Sequence, residues 1–355
     1  MGPSRDLPTR AAAGIAILLA AAGCGGPAGP LYAVGGTGND AAYRATAHPE
    51  AGVVVLGSFA GPVDFGRGER DGAATVFVVR LDGEGRPAWD WTGPGQVGVG
   101  DGPYASSYGS YPTGALAVDA GGGILLAGSF QGRADFGGGT RTSHRWGDDE
   151  AANSDIFVVR LDPAGRYAWD RTLGTDDALI FAQDLAATGD GGALLSGLCL
   201  GRLDLGEGRQ DCGQGSSFLV RLDALGNPAW HRLLPGAVTG LAVDGDGNAF
   251  VSLGCRFLRL DPGGGTAFDV ADPHCGYGGL ALGPFEAYIG GVLAGGSTAD
   301  PAFGLYVRST EDGTLLREYD LPAPPLRLAS DEAGDLFLLV SAVRGPIDFG
   351  CGRFE

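Results

Sequence analysis

Aspartate is the residue type that most invites a chemical reading of this chain. Asp244-Gly-Asp-Gly-Asn248 has the opening of a calcium-binding loop, but such a site needs roughly six to eight oxygen ligands and a bidentate glutamate further on, and no such glutamate follows. Corresponding positions read Asp119-Ala-Gly-Gly-Gly123 and Asp331-Glu-Ala-Gly334, so an aspartate-initiated hairpin turn accounts for the series. Asp64, Asp135, Asp204 and Asp348 recur in loops of the Asp-Phe-Gly type. One catalytic group would not need four copies, which makes these loop caps. His48, His144, His231 and His274 share no spacing, and only Asp272-Pro-His-Cys275 carries a weak hint of metal ligation. No Gly-x-Ser-x-Gly elbow, Walker loop or zinc-protease helix motif occurs. No catalytic residue, metal or cofactor is therefore expected.

The elements that carry these residues repeat. Val-Val-Arg-Leu-Asp stands at Val78 to Asp82 and at Val158 to Asp162, and returns loosened at Val220 to Asp223 and Leu258 to Asp261. Three of these copies lead through a glycine-bearing turn to a tryptophan: Trp89, Trp169 and Trp230. Six apolar runs form a second series: Val53 to Phe59, Ile124 to Phe130, Ala193 to Cys199, Ala249 to Cys255, Ala287 to Leu293 and Leu336 to Ala342. In chain order each unit reads as strand a, an Asp/Gly turn, the apolar strand b, the Asp-Phe-Gly loop, the Arg-Leu-Asp strand c and the tryptophan strand d. Near-continuous apolar strands suit sheets covered on both faces, and recurring four-stranded units stacked radially make a β-propeller. The 67 glycines and 21 prolines beside 44% hydrophobic residues fit many short turns between buried strands.

These motifs resemble the bacterial seven-bladed beta-propeller repeat family, closely over residues 41 to 232 and more weakly from Leu233 onward. The fourth unit lacks the Asp-Phe-Gly loop, and the fifth has Arg308-Ser-Thr in place of Arg-Leu-Asp. The resemblance implies an all-β propeller of four-stranded antiparallel blades in an envelope or extracellular setting, and brings no catalytic residues with it. About six repeats are recognisable, the last incomplete, within a parent that could be seven-bladed. Leu31 to Gly35 reads as a lone strand d able to close the ring. Asp348-Phe-Gly350 is followed by no strand c, so either the chain is a truncated product or closure is imperfect.

The amino terminus gives an address. Arg5 and Arg10 precede an apolar run from Ala11 to Ala22 that is too short to span a bilayer. Ala21-Ala22-Gly23-Cys24 resembles a bacterial lipobox, apart from alanine where that pattern usually has leucine. The expected organisation is a signal peptide over 1–24, a tether over 25–30 and one propeller domain over 31–355. Membrane contact comes only through lipid on Cys24. The chain carries 24 basic residues, all arginine, and a formal charge of -18, which disfavours nucleic-acid binding.

Strand direction sorts the loops. In an up-and-down meander the b–c and d–a connections share one face, and the a–b and c–d turns share the other. Cys199 and Cys212 flank one b–c loop, while Cys255 and Cys275 belong to the same face, so two disulfides are expected in an exported protein. Gly93 to Pro112, with Tyr104, Tyr108 and Tyr111, and Gly137 to Asp155, with Trp146, Asp148, Asp149 and Glu150, emerge there as well. Aromatic side chains on long loops over a rigid scaffold suit partner recognition. The leading expectation is a non-catalytic envelope scaffold that binds a protein or glycan through this rim. The rival is a propeller enzyme, quinone-dependent or polysaccharide-cleaving, which needs charged residues converging on the channel, where the strand a segments offer mainly Ala, Leu and Val.

Overall fold

The computed structural model describes residues 15–18, 31–34, 40–72, 75–93, 97–98, 100–101, 112–144, 155–205, 208–271, 275–292, 303–321, 325–330, 336–340, 347–348 and 353–354. Among them every regular element is a strand, and no helix is long and apolar enough to cross a membrane. The apolar runs become strand b of consecutive antiparallel sheets, hydrogen-bonded between strands a and c. Blade 1 comprises Ala41–Ala47, Val53–Phe59, Thr75–Leu81 and Pro87–Thr92. Blade 2 comprises Ala115–Val118, Ile124–Phe130, Asp155–Leu161 and Tyr167–Leu173. Blade 3 has the longest strands: Ala178–Ala187, Ala193–Asp204, Arg209–Leu222 and Pro228–Leu234. Blade 4 comprises Val238–Val243, Ala249–Leu253, Arg256–Leu260 and Thr266–Ala271. Blade 5 comprises Cys275–Leu282, Glu286–Val292, Phe303–Ser309 and Leu315–Leu321.

The strand a segments of consecutive blades pack side by side, and the strand a of blade 5 packs in turn on Pro325–Ser330. Among the described residues this is a propeller arrangement of five blades, each with the four meander strands and blade 2 with the short strand Val97–Gly98 added against its strand b, fewer than the six or seven expected from the repeats. The sixth unit contributes only the pair Pro325–Ser330 and Leu336–Val340 among the described residues. Leu31–Val34 does not serve as a closing strand d; it pairs antiparallel with Ile15–Leu18. The two segments are short and apolar, and pairing with each other satisfies their backbone groups locally.

The core lies between sheets. In blades 1 and 2, strands b and c are buried almost throughout. The Asp-Phe-Gly loop folds its phenylalanine back onto them. Phe65 lies 4.7 Å from Phe77 and 5.7 Å from Phe59, ring centre to ring centre, and Phe136 sits 4.7 Å from Phe157 and 5.6 Å from Phe130. A β-bulge opposite strand c recurs between Arg80 and Leu81, Arg160 and Leu161, Arg221 and Leu222, and Arg259 and Leu260. It sets Trp89, Trp169 and Trp230 directly across from the arginine of the repeat. In blade 5 the bulge falls between Val307 and Arg308, so Arg308 occupies the leucine position and not the arginine position that a plain alignment assigns it. There it is buried and donates from Nη1 to the Gly313 carbonyl at 2.7 Å.

Candidate functional site

The repeated Asp of strand c builds its own turn. Oδ1 of Asp82 accepts from the amides of Glu84 and Arg86, and the same pair of bonds recurs at Asp162 and Asp223. Hydrogen bonds from the Arg166 and Asn227 amides lead the effects that hold the carboxyls of Asp162 and Asp223 below the usual carboxylate range. The turns after Asp162, Asp223 and Asp261 each take up the tryptophan of the preceding blade. Trp89 Nε1 donates to the Pro163 carbonyl at 3.0 Å, Trp169 to Ala224 at 2.9 Å and Trp230 to Pro262 at 2.8 Å. The turn glycine leaves room for the indole: a Cβ on Gly165, Gly226 or Gly264 would stand 2.6, 2.8 or 2.9 Å from the tryptophan ring. All three also have positive φ, which L side chains adopt at a cost. The phrase that recurs along the sequence is thus a seam between blades.

The repeat's arginine reaches the a–b turn on the same face. Arg80 pairs with Glu50 at 3.1 Å, Arg160 with Asp119, and Arg221 with Asp190 at 2.6 Å. Burial alone would raise the Asp190 carboxyl, but hydrogen bonds from Thr188, Arg221 and Gly192 outweigh it and hold it down at about 2. Asp244 accepts from the amides of Asp246 and Asn248 and from the Asn248 side chain, so it works as a turn. Asp64 and Asp135 each accept from two loop amides, and Asp204 accepts from Gly208. These are the loop caps expected; Asp348 has no described side chain.

The opposite face is less uniform, although blades 1 and 2 share a pinned hairpin: in blade 1 Val63–Asp64 pairs with Glu69–Arg70 and Arg70 is held by Asp90 at 2.8 Å. In blade 2 the hairpin Arg133–Asp135 with Thr140–Thr142 is pinned by Arg141 to the fully buried Asp170 at 2.6 Å, and Tyr167 donates to the same carboxylate at 2.7 Å. Beyond it the chain leaves at His144 and returns at Asp155, the first residue of strand c. Asp155 is 2% exposed. Its Oδ2 accepts from the His144 amide at 3.2 Å and lies 2.9 Å from His144 Nδ1. Burial raises the Asp155 carboxyl above its ordinary value; the His144 bonds lower it in part, and the charge of Asp176 adds to the rise. Gly174, in the connection to blade 3, packs against that carboxylate with no space for a Cβ.

Blade 3 elaborates the face differently. Cys199 and Cys212 form the expected disulfide, with Cα atoms 5.7 Å apart, across the extended b–c hairpin. Arg209 of that hairpin pairs with Asp177 of the d–a connection, and the Arg202 amide donates to the Asp177 carbonyl at 2.7 Å. Those contacts put b–c and d–a connections on one face, as strand parity requires. Cys255 is disulfide-bonded but lies in the two-residue turn after strand b, not at its end; the side chain of Cys275 lies outside the described residues. So do Tyr104, Tyr108, Tyr111, Trp146, Asp148, Asp149, Glu150 and Cys24. Asp155 was missed as a site residue because it reads as loop. Its signal is the aligned repeat: Thr75 opens strand c in blade 1 where Asp155 opens it in blade 2.

The channel strands also hold more polarity than their Ala, Leu and Val content suggests. A bulge near one level of strand a places Arg44, Asp184 and Arg327 at one register position, opposite Leu56, Ser196 and Leu339. Gly240 shares that position and packs against Leu280 of the next blade, which shows that its Cβ direction points between blades. No group of three or more His, Cys, Asp or Glu able to hold a metal occurs among the described residues.

The fold defines a β-propeller, and comparisons with known proteins add no closer identity. No protein-family model and no curated protein matches the chain. Solved structures similar to it include a protein of unknown function from Bacteroides caccae, at 12% identity over 74% of this chain and 78% of that one, with a TM-score of 0.43. A functionally unknown protein from Desulfotomaculum acetoxidans matches at 11% identity, 80% and 71% coverage and a TM-score of 0.44. The β-propeller domain of Cps50 (Swd1) from Myceliophteria thermophila matches at 11% identity, 82% and 92% coverage and a TM-score of 0.37. None of these likenesses transfers a function.

Proposed function

We propose that this chain is a non-catalytic propeller scaffold of the bacterial cell envelope, of the seven-bladed repeat type, that binds a protein or glycan partner on its b–c and d–a face. The observation that carries this reading is the contrast between faces: one is a row of repeated turns, while on the other a shared capped hairpin in blades 1 and 2 leads into connections to strand c that differ in length and bracing from blade to blade. Rigid support beneath irregular connections is the arrangement in which binding loops are usually found. Tyr104, Tyr108, Tyr111, Trp146, Asp148, Asp149 and Glu150 supply the aromatic and acidic groups for recognition, and lipid on Cys24 supplies the anchor. Pro325–Ser330 and Leu336–Val340 belong to a sixth blade.

A glycan and secreted-protein binding screen tests the surface, repeated with Tyr104, Trp146 and Asp148 all changed to Ala. Loss of binding in that triple variant is the expected result; unchanged binding removes the rim from consideration. Cys24→Ser tests the address, since the protein should move from the membrane to the soluble fraction. Identical fractionation would rule out the lipid anchor.

A further inference from the structure

We propose that the disulfide of Cys255 closes onto Cys275 as a covalent strap between blades 4 and 5, and that an external dithiol opens it while Cys199–Cys212 stays intact. Cys255 is disulfide-bonded, and Cys199 and Cys212 are taken by each other, which leaves Cys24, Cys275 and Cys351 to pair with it. The backbone favours Cys275. Cys255 sits in the turn between strands b and c of blade 4. Cys275 opens strand a of blade 5 and lies opposite Val292, the last residue of that blade's strand b, so both cysteines belong to the b–c and d–a end of their blades. Strand b of blade 4 packs on strand a of blade 5. Cys351 follows strand b of the sixth unit, with blade 5 standing between it and blade 4, and Cys24 precedes blade 1 altogether.

The strap falls where the seam is weakest. From blade 1 to blade 4 an indole donates to each next turn, whereas at the junction of blades 4 and 5 Phe268 packs on Gly313 and has no N–H to give. A covalent link there holds together the pair of blades that lacks this hydrogen bond. The two disulfides also differ in access. Cys199 and Cys212 are 0% and 2% exposed, whereas Cys255 is exposed, and thiol–disulfide exchange requires that a thiolate reach a sulfur. A thiolate of the dithiol attacks Cys255 Sγ, the S–S bond breaks, and Cys275 leaves as a thiolate that takes up a proton. The reagent's second thiolate then attacks the mixed disulfide, so that Cys255 is released as a thiol and the reagent carries away the new disulfide. Two electrons pass from the dithiol to the strap.

Cleavage at arginine of the unreduced full chain reads the pairing directly. Residues 233–256 should be recovered joined to 260–308, and 172–202 joined to 210–221; a bridge from 233–256 to 345–353 or to the Cys24 peptide overturns the strap. Under native conditions, a dithiothreitol titration followed by alkylation should label Cys255 and Cys275 at concentrations that leave Cys199 and Cys212 unlabelled. Equal labelling of the two pairs, or earlier labelling of Cys199, overturns the selective opening. Amide hydrogen exchange measures what the strap holds. In a variant carrying Cys255→Ser and Cys275→Ser, exchange should rise severalfold in Thr266–Ala271 and Cys275–Leu282. It should stay unchanged in Pro228–Leu234 and Val238–Val243, where Trp230 holds the seam. Exchange equal to that of the wild type at the junction of blades 4 and 5 would mean that the bridge holds nothing. Should the double variant fail to fold, the same measurement on the wild-type protein after selective reduction decides between these outcomes.

Discussion

On the face formed by the a–b and c–d turns, three consecutive seams use one contact: a tryptophan hydrogen-bonded to the next blade's turn and packed on its glycine. Across the molecule, on the b–c and d–a face, blades 1 and 2 share a capped hairpin pinned by Arg70 to Asp90 and by Arg141 to Asp170, but the links that follow it differ. Blade 1 has a two-residue link, blade 2 the His144–Asp155 root, blade 3 a disulfide-braced hairpin, and blade 4 the turn of Gly254 and Cys255. Repetition thus marks where the chain solves a packing problem, and departure from it marks where the fold is free to vary. The seam itself fades along the chain. In blade 4, Phe268 packs on Gly313 without a donor, and in blade 5 the equivalent position is Arg317, which pairs with Glu286 of its own blade.

The comparison breaks if the two faces do not separate stability from recognition. Replacing Cys199 and Cys212 together with Ser should give the largest loss of stability, roughly 3 kcal/mol for a loop of this length, seen as a lower denaturation midpoint. Binding should fall with it, because the hairpin belongs to the b–c and d–a face; a stable variant with intact binding would mean the bridge supports neither. Trp169→Ala removes a half-buried indole and its bond to Ala224, and should cost about 2–3 kcal/mol in urea unfolding without touching binding. Gly226→Ala forces a positive φ of 79° on a side chain and sets its Cβ 2.8 Å from the Trp169 ring. A loss of about 2 kcal/mol is expected. If Gly226→Ala is harmless while Trp169→Ala is not, the hydrogen bond and not the close packing holds the seam.

Asp190 sharpens the comparison through pH. Its carboxyl is held down at about 2, below an unfolded value of about 3.9, so it contributes stability above the unfolded value. That contribution fades as the pH drops toward about 2. Asp190→Asn should flatten the acid limb of stability in that window, and an unaltered limb would show that its partners do not stabilise the turn. The smallest stability change, within about 0.5 kcal/mol, is expected for the triple variant of Tyr104, Trp146 and Asp148 that abolishes binding.

The turns from which the seam is built were legible because they are written in residue types that recur at fixed offsets. Asp, Gly and Trp reappear in order, and their turn chemistry follows from local bonds such as those of Asp82 and Asp162. The loop caps Asp64 and Asp135 were legible for the same reason. Asp155 was not, since a carboxylate at the edge of a loop reads as solvated until burial is known. Arg308 misled because a bulge moves the register by one residue, and a bulge leaves no fixed signature in a strand's residue types.

By itself the sequence determined the strands, their four-part unit, the turn aspartates and the face on which each connection emerges, because strand alternation and turn chemistry are local. The Cys199–Cys212 pairing followed from that parity. Tertiary structure alone decided that blades meet through an indole and a neighbouring glycine, that five sheets and not six are complete among the described residues, and that Asp155 is buried against His144. Each depends on how one blade's surface meets another chain segment distant in sequence, and such contacts are set by shape and exclusion of water.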